Sequence, residues 1–275
     1  RRMGGAADGA APVSDVYHFE QGSTPLLISM PHSGTELPDG FAARLSDDAR
    51  LLPDTDWHVP RLYDFAGELG ASILRARFSR YVVDLNRPPD DQSLYPGQAT
   101  TGLCPVTLFD GRALYRDGEA PGEVERSQRR ERYWQPYHDC LASELARLRE
   151  AHGYALLYDA HSIPSRVPRL FDGRLPDLNL GTANGQSCAG ARQQAIAEVM
   201  ASSNYTQVVN GRFVGGYITR HHGRPEQGVH AVQMEIAQVS YMDEVQGSPY
   251  NEHKAKALQP VLREILQTFL GRAGA

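Results

Sequence analysis

Two histidines in this chain stand where short apolar runs break off. Pro25-Leu26-Leu27-Ile28-Ser29-Met30 gives way to Pro31-His32-Ser33-Gly34, and Ala155-Leu156-Leu157-Tyr158-Asp159-Ala160 leads into His161-Ser162. In open α/β sheets ligands gather at the carboxyl ends of strands, so two strand-end histidines can converge on one edge however far apart they lie in sequence. Imidazole nitrogens with a carboxylate oxygen and one open position make a hydrolytic zinc site. Either histidine alone reads equally well as a polar turn residue; the shared placement favours ligation. Three carboxylates compete for the third position, Asp54, Asp56 and Glu36. Asp54 also fits as the cap of a helix starting near Trp57, and Asp56 as an acid in its first turn. Glu36 follows His32 closely enough to fold back in a tight turn. Asp159 shares one side of a strand with His161 and can accept a hydrogen bond from its ring.

Glu235 lies in the otherwise apolar run Val232-Gln233-Met234-Glu235-Ile236, on the same strand face as Gln233. A carboxylate in a buried strand is costly unless it is paired or sits near a metal. It reads as a general base acting on water beside a metal, with an ion pair to arginine as the structural alternative. Arginine forks bind carboxylates in bidentate fashion, and the loops hold Arg80, Arg87 next to Asn86, and Arg212 between Gly211 and Gly215-Gly216. Arg166, Arg169 and Arg224 read as solvated charges. Neither a P-loop nor a GxSxG elbow is present, and the glycines of 211–216 lack the strand and helix that a dinucleotide fingerprint needs.

These residues need elements to hold them. Residues 57–69 carry apolar side chains at helical spacing and end at Gly70, a helix-stop residue. Residues 71–76 and 81–85 read as strands, 123–151 as one long amphipathic helix, 191–202 and 253–269 as helices, and 207–209 and 229–236 as strands. Residues 88–122, rich in Pro, Gly and Asp, are too long for an idle loop and read as a functional excursion. His58 and His138 fall on helical segments and His221-His222 in a loop, all without a metal role. Strands alternating with helices make this an α/β chain with a parallel or mixed sheet.

A net charge of −5 argues against nucleic acid or an anionic membrane as partner, while leaving room for a basic pocket that takes a small acid. The three cysteines, an odd number with no CxxC pair, favour a reducing cytoplasm. No run is long and apolar enough to span a membrane. Residues 1–15 read as a disordered leader and 16–275 as a single domain.

The chain resembles the N-formylglutamate amidohydrolase family in long joined motifs covering nearly all of it: PHSG at 31–34, DTDWHVPRLYDFAGELGA at 54–71, SRYVVDLNRPPD at 79–90, LYPGQATTGLCP at 94–105 and YWQPYH at 133–138. Further matches are LLYDAHSIPSRVPRLFDGRLPDLNLGT at 156–182, NGRFVGGYITRHHG at 210–223 and HAVQMEIAQVSYM at 230–242. The resemblance implies hydrolysis of N-formyl-L-glutamate to formate and L-glutamate, the last step of one histidine degradation route. It also implies a three-layer α/β/α fold similar to zinc carboxypeptidases. By position it implies zinc, or another divalent ion, on His32, His161 and Asp56, with Glu235 as base and Asn86-Arg87 gripping a substrate carboxylate; Arg80 and Arg212, at a strand end and beside glycines, are secondary candidates for the carboxylates. The short His-x-x-Glu spacing of zinc carboxypeptidases is absent, Glu36 being one residue too far, so the third ligand stays open between Asp56 and Glu36. A metal amidase acting on a larger acidic amide, and a binding module for acidic ligands without catalysis, are the competing readings.

Overall fold

The computed structural model describes residues 14–271 apart from positions 95 and 99. The leader expected over residues 1–15 therefore lies, but for Ser14 and Asp15, outside the described residues. Seven strands form one mixed sheet: β1 (Tyr17–Glu20), β2 (Leu26–Met30), β3 (Ser72–Ala76), β4 (Ala155–Ile163), β5 (Leu178–Gly181), β6 (Gln207–Val209) and β7 (Val229–Ala237), in the order β1-β3-β2-β4-β7-β5-β6. The four central strands β3, β2, β4 and β7 run parallel; β1 joins antiparallel at one edge, and β5 pairs antiparallel with β7 toward the other.

Strand alternation divides the core into two layers. Leu26, Ile28, Met30, Leu156, Tyr158, Val232 and Met234 pack on one face beneath α2 (Val59–Leu62), α5 (Gly190–Ser202) and α7 (Glu252–Phe269). Leu27, Leu157 and Ala231 face the other way, against Tyr137, Leu141, Leu145 and Leu148 of α4 (Gln135–His152) and Ile218 of α6 (Tyr217–His222). The remaining helices are α1 (Phe41–Arg44) and α3 (Glu123–Arg129). The α/β class and the layering agree with expectation.

On the α4 and α6 side, β4 and β7 change character halfway along. Ala155 and Leu157 are followed on that face by Asp159 and His161, and Val229 and Ala231 by Gln233 and Glu235. In the parallel ladder Asp159 sits opposite Gln233 and His161 opposite Glu235. The amino-terminal halves are core, and the carboxyl-terminal halves carry polar groups side by side.

Several elements differ from the sequence reading. Residues 81–85 form turns instead of a strand: Val82 N donates to Ser79 O and Asp84 N to Leu103 O. Their apolar side chains are buried in two different clusters, and among the described residues no strand pairs with them, a burial that hydropathy alone does not distinguish from a strand's. The helix expected over 57–69 breaks into α2 and the 3-10 turn Asp64–Leu69, and Asp54 does not cap it, because His58 occupies the cap with a left-handed backbone. The helix over 123–151 is interrupted by the π turn Arg130–Trp134. His161 lies inside β4, whose pairing with β7 continues to Ile163 and Ala237, instead of at its end. The loop read up to residue 190 contains β5, and His221-His222 lie on α6.

Gly70 ends the Asp64–Leu69 turn at φ 70°, with its carbonyl accepting from Ser23 and Thr24 and an added Cβ falling 2.9 Å from both side chains. Gly70→Ala therefore combines left-handed strain with a clash. We expect it to lower unfolding free energy by about 1–2 kcal/mol in urea titrations; an unchanged midpoint would contradict the role given to this turn.

Candidate metal and carboxylate-binding site

The two histidines arrive by different routes. His32 lies just beyond the end of β2, and its carbonyl accepts from Asp56 N at 3.0 Å, tying the segment that carries Asp56 to the strand end. The same segment is pinned from the far side of β7: Gln238 Nε2 donates to Thr55 O at 3.0 Å, and the Tyr241 hydroxyl lies 2.5 Å from Trp57 O. His58 at φ 61° and Leu52 at φ 51° turn the chain sharply on either side of Asp56. Positive φ at such residues costs free energy and persists where surrounding contacts over-determine it.

Both imidazoles are oriented in the same manner. His32 Nε2 lies 2.6 Å from Asp84 Oδ1, and His161 Nε2 lies 2.7 Å from Asp159 Oδ2. Each ring is thereby turned so that Nδ1 faces Asp56 Oδ2, at 3.8 Å for His32 and 2.9 Å for His161. One ligand atom from each of His32, Asp56 and His161 falls within 4.8 Å of the others, and all three residues are buried. A carboxylate behind each imidazole is the usual support of a metal-binding histidine, since it fixes the tautomer and raises ligand basicity. Asp159 takes the place expected of it. Asp84 was not singled out in sequence; an acid within the apolar run Val82-Val83-Asp84-Leu85 is the same signal that drew attention to Glu235.

The charge balance of the cluster fits a cation. Four buried carboxyl groups, Asp56, Asp84, Asp159 and Glu235, surround the histidines, while the buried guanidinium among them is that of Arg80. Arg80 is 2.7 Å from Asp84 and 4.0 Å from Asp56. Burial alone would lower the His161 imidazole, but Asp159 and Asp56 outweigh it and hold the ring well above the ordinary histidine range. His32 is pushed below that range by burial and by Arg80. Asp84 stays well below the usual carboxylate range: burial opposes its charge, and His32 and Arg80 overcome the effect. Burial pushes Glu235 up to about 8; Asp56 adds to the rise, and His161 pulls against it. A proton on His161 thus offsets part of the negative surplus, and a divalent ion among two imidazoles and a carboxylate would offset more of it, with the donor set zinc prefers.

A cavity opens over the cluster, lined also by Arg87, Thr101, Phe109, Ile163, Leu170, Arg212, Phe213 and Glu235. Arg87 donates to Thr101 O (2.8 Å), Thr101 Oγ1 (3.3 Å) and Asn86 O (3.1 Å), and among the described residues no carboxylate is ion-paired with it. Arg212 Nε donates to Leu170 O at 2.7 Å, and the guanidinium lies over Phe213. The excursion over 88–122 supplies Thr101 and Phe109. Asp54 anchors it by accepting from Phe109 N at 3.0 Å, and burial pushes this carboxyl up to about 6. Trp134, in the π turn, donates to Arg87 O at 3.0 Å and stacks on His138, whose Nε2 lies 2.8 Å from Leu85 O. Glu36 stands outside the cavity and pairs with Arg77 at 2.9 Å. His32, Asp56, His161, Glu235, Asn86, Arg80, Arg87 and Arg212 therefore share one cavity.

Residues 24–242 match the model of the N-formylglutamate amidohydrolase family. The chain belongs to this family. It is 58% identical over 259 residues to the N-formylglutamate deformylase of Pseudomonas aeruginosa, covering 94% of this chain and 97% of that one. With the deformylase of Pseudomonas putida it shares 54% identity over 256 residues, 93% of this chain and 96% of the other. The crystal structure of N-formylglutamate amidohydrolase from Ralstonia eutropha JMP134 superposes with a TM-score of 0.76 at 25% identity, covering 94% of this chain and 97% of that one. Among the described residues, no helix is long and apolar enough to cross a membrane.

If Asp56 completes the donor set, Asp56→Ala should weaken zinc binding far more than Glu36→Ala, whose side chain is turned to solvent. Competition against a chromogenic chelator measures both. Equal affinities in the two variants would remove Asp56 from the ligand set.

Proposed function

We propose that this chain hydrolyses N-formyl-L-glutamate to formate and L-glutamate, using zinc or another divalent ion held by His32, Asp56 and His161. The observation that carries the reading is the ladder position of Glu235, directly opposite His161 and facing the same cavity as the two arginine-bearing loops. The names of the curated relatives support the substrate, and the arrangement of side chains supports the chemistry.

When bound, the metal supplies a Lewis acid and makes water acidic enough to attack near neutral pH. The remaining work falls to side chains. Glu235 takes the proton of the attacking water on its carboxylate and delivers it to the amide nitrogen as the C–N bond breaks, because an unprotonated amine leaves poorly. Arg80, fixed by Asp84 beside Asp56, keeps positive charge close to the carbonyl oxygen as negative charge develops there. Arg87 and Arg212 bind the two carboxylates of the glutamyl part, the Arg87 fork being held, among the described residues, by neutral oxygens. Phe109, Ile163, Leu170 and Phe213 reduce the water around these ion pairs and so strengthen them. The family resemblance further implies action at the end of histidine degradation, and the sparse, unpaired cysteines favour the cytoplasm.

Formate release from N-formyl-glutamate, measured before and after chelation, tests the reading as a whole. Activity should vanish with the metal and return with added zinc; release indifferent to the chelator would contradict it. Glu235→Gln keeps the shape and removes the base, and we expect it to retain zinc while kcat falls by about 10²–10⁴-fold. Wild-type turnover in this variant would make Glu235 a structural group. Arg87→Ala should lower kcat/KM by roughly two orders of magnitude or more, as loss of a buried charge-assisted pair costs about 2–5 kcal/mol. Equal losses on N-formyl-glutamate and on a simple N-alkyl formamide that lacks both carboxylates would show that Arg87 does not meet a substrate carboxylate.

A further inference from the structure

Asn86 stands at the centre of the cluster, and its hydrogen-bonding capacity is used within the protein. Its Nδ2 lies 3.3 Å from Asp159 Oδ2, 3.4 Å from Gln233 Oε1 and 3.1 Å from His161 Nε2. With the His161 Nε2 proton directed at Asp159, the two amide hydrogens have Asp159 and Gln233 as their acceptors. Asn86 Oδ1 accepts from Ile218 N at 2.9 Å, and the backbone N of Asn86 donates to Asp84 Oδ1 at 2.9 Å. Gln233 Oε1 also accepts from Gly216 N at 2.8 Å. A carboxamide has two N–H donors, and both are engaged here, so none remains for a substrate carboxylate.

Gly216 carries the second observation. Its φ of −85° is open to any residue, so backbone conformation does not demand glycine. Space does: the three atoms nearest to an added Cβ all belong to the Asn86 side chain, with Cγ and Oδ1 at 2.6 Å. A glycine at 216 makes room for the amide of residue 86.

We propose that Asn86 is a positioning residue and not a substrate ligand. Its amide ties the Asp159–His161 pair to the backbone of Ile218 and to Gln233, which in turn accepts from Gly216 N. Arg87 follows it directly in sequence, and Arg212 lies on the loop that ends at Gly216. One side chain thus sets the spacing between the histidine that faces the scissile bond and both arginines that face the carboxylates. The identity of the substrate rests on the function proposed above; the placement of His161 by Asn86 does not.

The test uses the full chain with Asn86→Ala, Gly216→Ala and the double variant. Formate release at saturating zinc gives kcat and KM, and the visible absorption of the Co2+-loaded chain gives a readout independent of turnover. A positioning role predicts that Asn86→Ala lowers kcat by about 10–100-fold with KM little changed, and shifts the Co2+ bands, as expected when support behind a metal-binding histidine is lost. Gly216→Ala should be damaging alone and nearly harmless once residue 86 is alanine, because the clash is gone. If Asn86→Ala does not fold, Gly216→Ala alone must show the same split between kcat and KM together with the spectral shift. A rise in KM with kcat retained, unchanged Co2+ bands, or additive losses in the double variant would overturn the proposal. A wild-type chain that binds Co2+ but releases no formate would remove the substrate reading, and the spectra would still decide the role of Asn86.

Discussion

The site depends on paired carboxylate–imidazole hydrogen bonds behind the cavity, Asp84 on His32 and Asp159 on His161. Without them each ring is free to turn, and nothing directs both Nδ1 atoms at Asp56. With them the tautomer and direction of each ring are fixed in advance, so ordering is completed on folding instead of on binding. The consequence is a concentration of buried acid that stays favourable only with compensating positive charge. Taking ions out of water costs several kcal/mol each, and removing one partner from a buried set typically costs about 3–5 kcal/mol. Arg80 supplies part of that compensation, and either a proton on His161 or, in the proposed metal-bound state, a cation in that proton's place supplies more.

The fold meets this requirement through register. In a parallel ladder residues opposite one another present their side chains to the same face, so pairing of β4 with β7 brings Asp159 beside Gln233 and His161 beside Glu235 without help from loops. Two apolar layers clamp the two strands, and a one-residue slip of either would drive its two polar groups into the opposite core. Asp159, His161, Gln233 and Glu235 therefore sit on central strands and His32 just beyond one, Asp56 and Asp84 arrive on turns tied to His32, and the cavity residues proposed to meet substrate, Arg87, Arg212 and Phe109, sit on loops pinned by Trp134, Leu170 and Asp54.

Much of this was legible before any coordinates. Apolar runs ending in histidine identified β2 and β4, and an acid within an apolar strand identified Glu235, because burial of charge is costly enough to need a reason. What escaped depends on contacts between distant segments. Asp84 lies in a run whose hydropathy resembles a strand, and only the folded chain brings it to His32. The choice of Asp56 over Glu36 turns on a backbone hydrogen bond from Asp56 to His32 and on an ion pair that draws Glu36 to Arg77. β1, β5 and α6 have at most six residues each, too few for a period to emerge. The π turn at Arg130–Trp134 has no mark in hydropathy, though it delivers the Trp134 indole to Arg87.

The central claim is that the buried carboxylate surplus is organised around one divalent ion held by His32, Asp56 and His161. Anomalous diffraction at the zinc edge, from crystals of the zinc-loaded chain, tests it most directly. The account predicts a strong peak coordinated by Nδ1 of both histidines and an oxygen of Asp56, with both Nε2 atoms still engaged by Asp84 and Asp159. No peak at this position in zinc-saturated crystals, or coordination through Nε2 with the supporting carboxylates displaced, would contradict it.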